Sequence, residues 1–367
     1  TMNPETGQFI TPLKHITSGL GGSAPEGPHM YKIGNYYYFM SAEGGTGYEH
    51  REVMQRSKSP YGPFEASPVN PVVSNMHEPE SPFQAIGHAD LVQLQDSSWW
   101  LVTLGFRPKG GKFHHLGRET FLAPVVWDEN GWPKGGDNGV MREEFPFPNL
   151  PEHKWEKETA RDDFGDSTLG LKWNFIRNPY DDDWSLTARP GFLRLNGSKV
   201  SLRDIDSPAF IGQRQTAFDM VASTKIGFKP AKNNEEAGLV VRGDDLNHFE
   251  LLVTLRAGKR VALFRKYLQG KTDEERFVEI PDGDVVLRIS STDIQYQFWV
   301  HQEGKRAVLL GKADARDIST EQIGGFIGAF IGMYATGNGQ VSTSPADFDW
   351  FDFEEDPILP YVWEKGQ

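Results

Sequence analysis

Cysteine is absent from all 367 residues, which excludes disulfides, thiolate nucleophiles and cysteine-held metals and fits a reducing compartment. Positive charge is scarce: 38 Lys and Arg stand against 51 Asp and Glu, a formal charge of −13. That excess disfavours nucleic acid and anionic membrane surfaces as partners and favours a neutral ligand. No apolar run approaches the length of a membrane span. No signal-peptide pattern follows the start Thr1-Met2-Asn3-Pro4, which lacks an initiating Met, and a cytoplasmic location is expected. One further absence bears on chemistry. No Asp precedes Glu26, and Glu5 is the sole acid upstream of it.

Aromatic residues are plentiful: 24 Phe, 11 Tyr and 10 Trp. Flat rings fill the cores of β-proteins and also stack on the C–H faces of sugars. The first 140 residues read as all-β. Tyr31 to Met40 forms a hairpin around Gly34-Asn35, and Leu91 to Leu104 forms another around Gln95-Asp96-Ser97-Ser98. Each is followed by an extended segment (Glu52 to Ser57, Arg118 to Ala123) and by a Pro/Gly turn with an aromatic, Tyr61-Gly62-Pro63-Phe64 and Asn130-Gly131-Trp132-Pro133. The offset of roughly 60 residues is that of blade-sized repeats. Two blades cannot close a propeller, so residues 1–140 are expected to be an incomplete domain whose remaining blades come from elsewhere.

Residues 141–160 are Pro-rich and charged and read as a linker. From 161 to 356 short alternating strands recur: Gln215–Ala222, Ala237–Arg242, Phe249–Arg256, Val261–Lys266, Val285–Ser290 and Ile294–His301. This is the pattern of a β-sandwich without helices longer than a turn or two, followed by a tail over 357–367. Asn196-Gly197-Ser198 fits a glycosylation sequon and is read as a turn.

Pro25-Glu26-Gly27-Pro28-His29 holds a carboxylic acid between two proline-stiffened bonds at the mouth of a strand. A proton donor that must meet one glycosidic oxygen needs such placement. Read alone, the segment reads better as a turn with an exposed Glu. Glycoside hydrolysis takes a second carboxyl, and the residues themselves leave Asp90, Glu43 and Glu119 open for it. The acid must also be kept protonated near neutral pH, by burial or by a neighbouring carboxylate.

Four ordered segments narrow this: Glu26-Gly27-Pro28-His29, Ala42-Glu43-Gly44-Gly45-Thr46, Gly87-His88-Ala89-Asp90 and Leu116-Gly117-Arg118-Glu119. In that order the chain resembles glycoside hydrolase family 43, in the branch of β-xylosidases with a C-terminal β-sandwich, over residues 15 to about 355. The resemblance implies an all-β fold, the last blades of a five-bladed propeller followed by a concanavalin-like sandwich. It implies Glu26 as general acid, Arg118 as an active-site arginine near the sugar and the base, and His88 in the central channel beside substrate or a cation. Thr46 would line the pocket wall, with His29, Asp90 and Glu119 as supports or contacts. The general-base and modulator aspartates of the family lie N-terminal to the Glu-Gly-Pro-His segment, where this sequence has none.

No cofactor is expected for the chemistry. A structural Ca²⁺ on Asp162 or Asp163 with Asp347 and Asp349 is expected from the hard-oxygen preference of that ion. The resemblance also implies that the sandwich lends an aromatic side chain to the pocket mouth and so restricts action to chain ends; Phe326 or Phe330, which share strand parity and could face one side, are the candidates. The resulting expectation is an exo-β-xylosidase acting by inversion on xylo-oligosaccharide or arabinoxylan ends. An α-L-arabinofuranosidase is the enzymatic alternative, and a carbohydrate-binding chain without catalysis the other. A second chain is expected as partner, an N-terminal fragment of the same precursor with about three blades, roughly 120–150 residues. It would be separated by a cut before Thr1, made by a protease or by the Thr1 hydroxyl itself, and homo-oligomerisation is compatible with all of this.

Overall fold

The computed structural model describes residues 1–156 and 159–356; the expected tail at 357–367 lies outside the described residues. Packing divides the chain into two units, residues 1–108 with 118–154, and residues 109–117 with those from 155 onward.

The first unit consists of two four-stranded antiparallel sheets. Strands β1 (Glu26–Ile33), β2 (Tyr36–Glu43), β3 (Arg51–Ser57) and β4 (Glu65–Ala66) make one; β5 (Gln84–Gln93), β6 (Trp99–Phe106), β7 (Glu119–Trp127) and β8 (Pro133–Gly135) make the other. The expected hairpin at Gly34-Asn35 closes with Ile33 opposite Tyr36. The second closes with Gln93 opposite Trp99 and a Leu94 N–H to Ser98 carbonyl bond of 2.9 Å. Leu91, Leu101 and Ala123 are cross-strand neighbours, and with Met40, Met54, Ile86, Val125 and Trp132 they form the buried core. Alternation along the same strands turns Val92, Val102, Leu122 and Val126 outward, where they are 38–66% exposed. The outer face of β5–β7 is therefore apolar and uncovered by the described residues of this unit.

The second unit is a β-sandwich. One sheet runs in the order Asn174–Phe175, Ala209–Arg214, Phe330–Thr336, Glu236–Asp244, Asn247–Arg256, Lys259–Leu268, Lys271–Glu279. The other runs Trp184–Ser185, Leu193–Asn196, Pro345–Glu355, Met220–Gly227, Val285–Thr292, Gln295–His301, Val308–Asp314, with Arg161–Asp162 paired to Pro345–Glu355. Leu239, Phe249, Phe264, Leu287, Phe298 and Phe348 fill the space between. The edge strand Lys271–Glu279 is mostly exposed and heavily charged, which blocks pairing with another sheet. The expected strand Gln215–Ala222 runs instead over Met220–Gly227, because the buried Gln215 side chain bonds the Ala217 carbonyl and the Tyr296 hydroxyl and ends the pairing there. Residues 109–117 join this unit through His114, whose Nδ1 lies 2.6 Å from Glu321, and His115, whose carbonyl accepts from Ala329 N–H at 2.7 Å.

Two expectations fail here. The acids do not gather on a cation. Asp162 accepts from Phe164 N–H and Trp173 Nε1, Asp347 takes Arg189 and Arg194, Asp349 takes Lys225, and Asp163 is exposed. Among the described residues no three ligating side chains come together. Nor do Phe326 and Phe330 share a strand, which begins only at Phe330. Phe326 lies in the preceding loop and is 72% exposed, while Phe330 packs on the small cluster of Leu202, Phe210, Val240, Leu252 and Tyr334.

Candidate active site

Glu26 is the first residue of β1, an edge strand, opposite Ala42 of β2. The register breaks between Glu26 and His29, where Gly27 takes a left-handed φ of 55° and Pro28, without an N–H, is tolerated on the edge. This bulge aims a side chain that a regular strand would alternate to a fixed face. The carboxyl is 40% exposed.

Two imidazoles meet its Oε1: His88 Nδ1 at 3.5 Å and His50 Nε2 at 3.9 Å. They arrive from different sheets, and both need missing side chains. A Cβ at Gly27 would fall 2.6 Å from His88 Nε2, and one at Gly87 would fall 2.8 Å from His50 Cε1. The β5 strand is irregular twice between Gln84 and Asp90, with Ala85 and His88 both at φ 54°, so its backbone is bent around these rings. His50 is fully buried at the end of the loop that leads into β3. Burial lowers its pKa from the ordinary value, with His88 and Arg118 adding to the effect, while the Ala85 carbonyl bond and Glu26 oppose it. Glu52, also fully buried, accepts the Ala89 N–H at 2.9 Å. Burial pushes its carboxyl well above the usual range, against the Ala89 and His88 N–H groups that pull it down.

The three carboxyls left open as the second group are each engaged elsewhere. Glu43 is buried and accepts from the backbone N–H of Leu20 and Gly22, with Arg51 at 3.4 Å. Asp90 lies 3.0 Å from His29. Glu119 forms a two-pronged pair with Arg107, both bonds 2.8 Å, rather than with its neighbour Arg118. Arg118 itself is exposed and bears on the charge of His50, which places it in this neighbourhood. Thr46 is half-buried on the tight loop between β2 and β3 that also carries His50. The structure thus brings His88 to Glu26, while His50 and Glu52 were not singled out in the sequence. The available signal was the run Glu49-His50-Arg51-Glu52, four ionisable residues entering the apolar Val53-Met54.

No helix among the described residues is long and apolar enough to cross a membrane. Residues 1–133 match the profile described as glycosyl hydrolases family 43, and residues 161–354 that of the β-xylosidase C-terminal concanavalin A-like domain. A non-reducing end α-L-arabinofuranosidase of Bacteroides ovatus is 61% identical over 96% of this chain and 66% of its own length. A β-xylosidase of Bacillus subtilis is 33% identical over 95% of this chain and 68% of its own length. The solved structure of a xylan β-1,4-xylosidase from Bacillus halodurans superposes with a TM-score of 0.92 at 34% identity, covering 96% of this chain and 69% of that one. The chain thus spans about two thirds of the length of the curated relatives it matches. With both profiles in order along one chain, and the motif residues Glu26 and His88 within 3.5 Å of each other, the chain belongs to glycoside hydrolase family 43.

Proposed function

We propose that this chain carries the proton donor of an exo-acting glycosidase that removes a terminal pentose by single-displacement inversion. The observation that supports it most directly is Glu26 itself, a half-exposed carboxyl on a bulged edge strand with two imidazoles on one of its oxygens. Such a group can protonate a leaving oxygen while the rest of the strand stays rigid. The 61% identity to an α-L-arabinofuranosidase favours L-arabinofuranose as the terminal sugar. The β-xylosidase relatives keep D-xylose as the second reading. The discriminating measurement is kcat/KM on matched aryl α-L-arabinofuranoside and aryl β-D-xyloside. A ratio of at least about ten for arabinoside is expected, and a ratio below one would restore the xylosidase reading. Proton NMR of the first-formed product should show the anomer opposite to the substrate, because an inverting pair leaves room for water across roughly 6.5–9.5 Å. Retained configuration would overturn the mechanism.

Inversion also needs a base. Asp90, Glu43 and Glu119 are held by their partners, and Glu52 is enclosed where no attacking water reaches. We therefore assign the base to polypeptide other than these residues, further sheets of the same kind packed on the apolar outer face of β5–β7. Mass spectrometry of the active species under native conditions should find that additional polypeptide, as one longer chain or as a second chain. Full activity from a species with the mass of these 367 residues alone would refute the assignment.

A further inference from the structure

His50 stands outside the segments on which the family resemblance rests, yet it is the more enclosed of the two imidazoles at Glu26. Its Nδ1 lies 2.9 Å from the Ala85 carbonyl, which can only accept, so Nδ1 carries the ring proton and donates it. A neutral imidazole has one such proton, and Nε2 is left as a lone pair. That atom is buried without a hydrogen-bond partner and lies 3.9 Å from Glu26 Oε1. The residue is held in place: its N–H bonds the Gly47 carbonyl at 3.0 Å, its carbonyl accepts from Ser74 Oγ at 2.8 Å, and Gly87 lies against the ring. The Gly87 carbonyl is in turn anchored by Thr103 Oγ1 at 2.6 Å. Around Glu26 the other groups that bear on it are His88, at 3.5 Å, and the buried Glu52. At 3.9 Å the His50 contact is longer than a hydrogen bond, a gap of the kind that closes when substrate tightens a site.

We propose that His50 is a positioning residue for the proton donor: its fixed Nε2 lone pair accepts a hydrogen bond from protonated Glu26 and so sets the rotation of that carboxyl as its proton is delivered. The proposal rests on the reading of Glu26 as general acid. The proton remains covalently on Glu26 until it passes to the glycosidic oxygen, and water restores it afterwards. His50 keeps one proton, on Nδ1, throughout.

The test uses the intact enzyme, two polar substitutions and two substrates that differ in leaving-group acidity. In His50→Asn the amide can still donate to Ala85 but no acceptor reaches Glu26. In His50→Gln the longer side chain returns an acceptor. His50→Asn should lower kcat about 10–100-fold on the substrate with a poor leaving group, the range typical of groups that orient a reacting residue. It should lower kcat less than three-fold on the activated one, with KM within about two-fold, and His50→Gln should recover most of the loss. Equal losses on both substrates, or Gln as poor as Asn, would make His50 a packing residue only. Glu26→Gln run in parallel separates the two ideas. Should it fail to spare the activated substrate, the acid reading falls and the His50 role with it. Should it spare that substrate while His50→Asn shows no leaving-group dependence, the His50 inference alone is overturned.

Discussion

Glu26→Gln is expected to lower turnover of a glycoside with a poor leaving group by about 10²–10⁴-fold, the usual contribution of a positioned acid. An aryl glycoside whose leaving group departs as the anion should lose no more than a few-fold. The amide keeps the shape and the contacts of the carboxyl to His88 and His50 but has no acidic proton, so the two substrates isolate proton donation from binding. Equal losses on both substrates, or none on either, would take the acid role away from Glu26. Arg118→Lys supplies the contrast. A guanidinium acts on the sugar or on charge near the site regardless of leaving group, and an ammonium cannot reproduce its planar fork. That variant should therefore lose activity on both substrates alike.

The second large effect concerns stability. In the sandwich, Arg265 lies across from Glu250 on one neighbouring strand and Glu275 on the other. It reaches Glu236 through two bonds of 2.8 and 3.1 Å, Glu275 at 3.1 Å, and Glu250. Arg265, Glu236 and Glu250 are each 5% exposed or less. Removing the cation leaves two buried carboxylates without their main partner, which costs roughly 3–5 kcal/mol. Arg265→Met should lower the melting midpoint of the sandwich by about 10 °C. Glu236→Gln and Glu250→Gln added to it should restore most of that, since neutral amides need no counter-charge. A midpoint within about 2 °C of the parent for Arg265→Met would show that water or rearrangement compensates the charges.

The same cluster has a pH signature. Burial alone would raise the Glu250 carboxyl, but the charge of Arg265 and the contact with His248 bring it down to about 2. A folded value below the unfolded one means that the stabilisation is present above about pH 4.5 and fades as pH falls toward 2. Acid unfolding of the parent should be steeper across that window than that of the neutral triple variant.

The two four-stranded sheets, both hairpin turns and the sandwich were legible along the chain, because each rests on local rules. Side-chain alternation at period two, the fixed φ of Pro63 and Pro133 and the turn at Gly34-Asn35 act over a few residues. The prolines flanking Glu26 did not set its backbone in the same way: Ala24 and Gly27, each before a proline, take φ of 47° and 55°, outside the extended region that proline favours in the residue before it. The expected convergence of Asp162 or Asp163 with Asp347 and Asp349 was not a local matter. Asp162 did come to pair opposite Phe351, but Arg194 and Lys225 on neighbouring strands, with Arg189 and Trp173 in loops, took the carboxylates.

By itself, then, the sequence determined an all-β chain, with one acid flanked by prolines at the start of a strand. Tertiary structure alone decided which groups face that acid. His50 and His88 reach it from points 24 and 62 residues further along, and only because β1 and β5 bulge and Gly27 and Gly87 leave room for the rings. Arg107 rather than Arg118 takes Glu119, and Glu43 is consumed by the backbone of Leu20 and Gly22. Such pairings depend on a few ångströms of backbone offset between strands distant in sequence, a quantity that no local periodicity encodes.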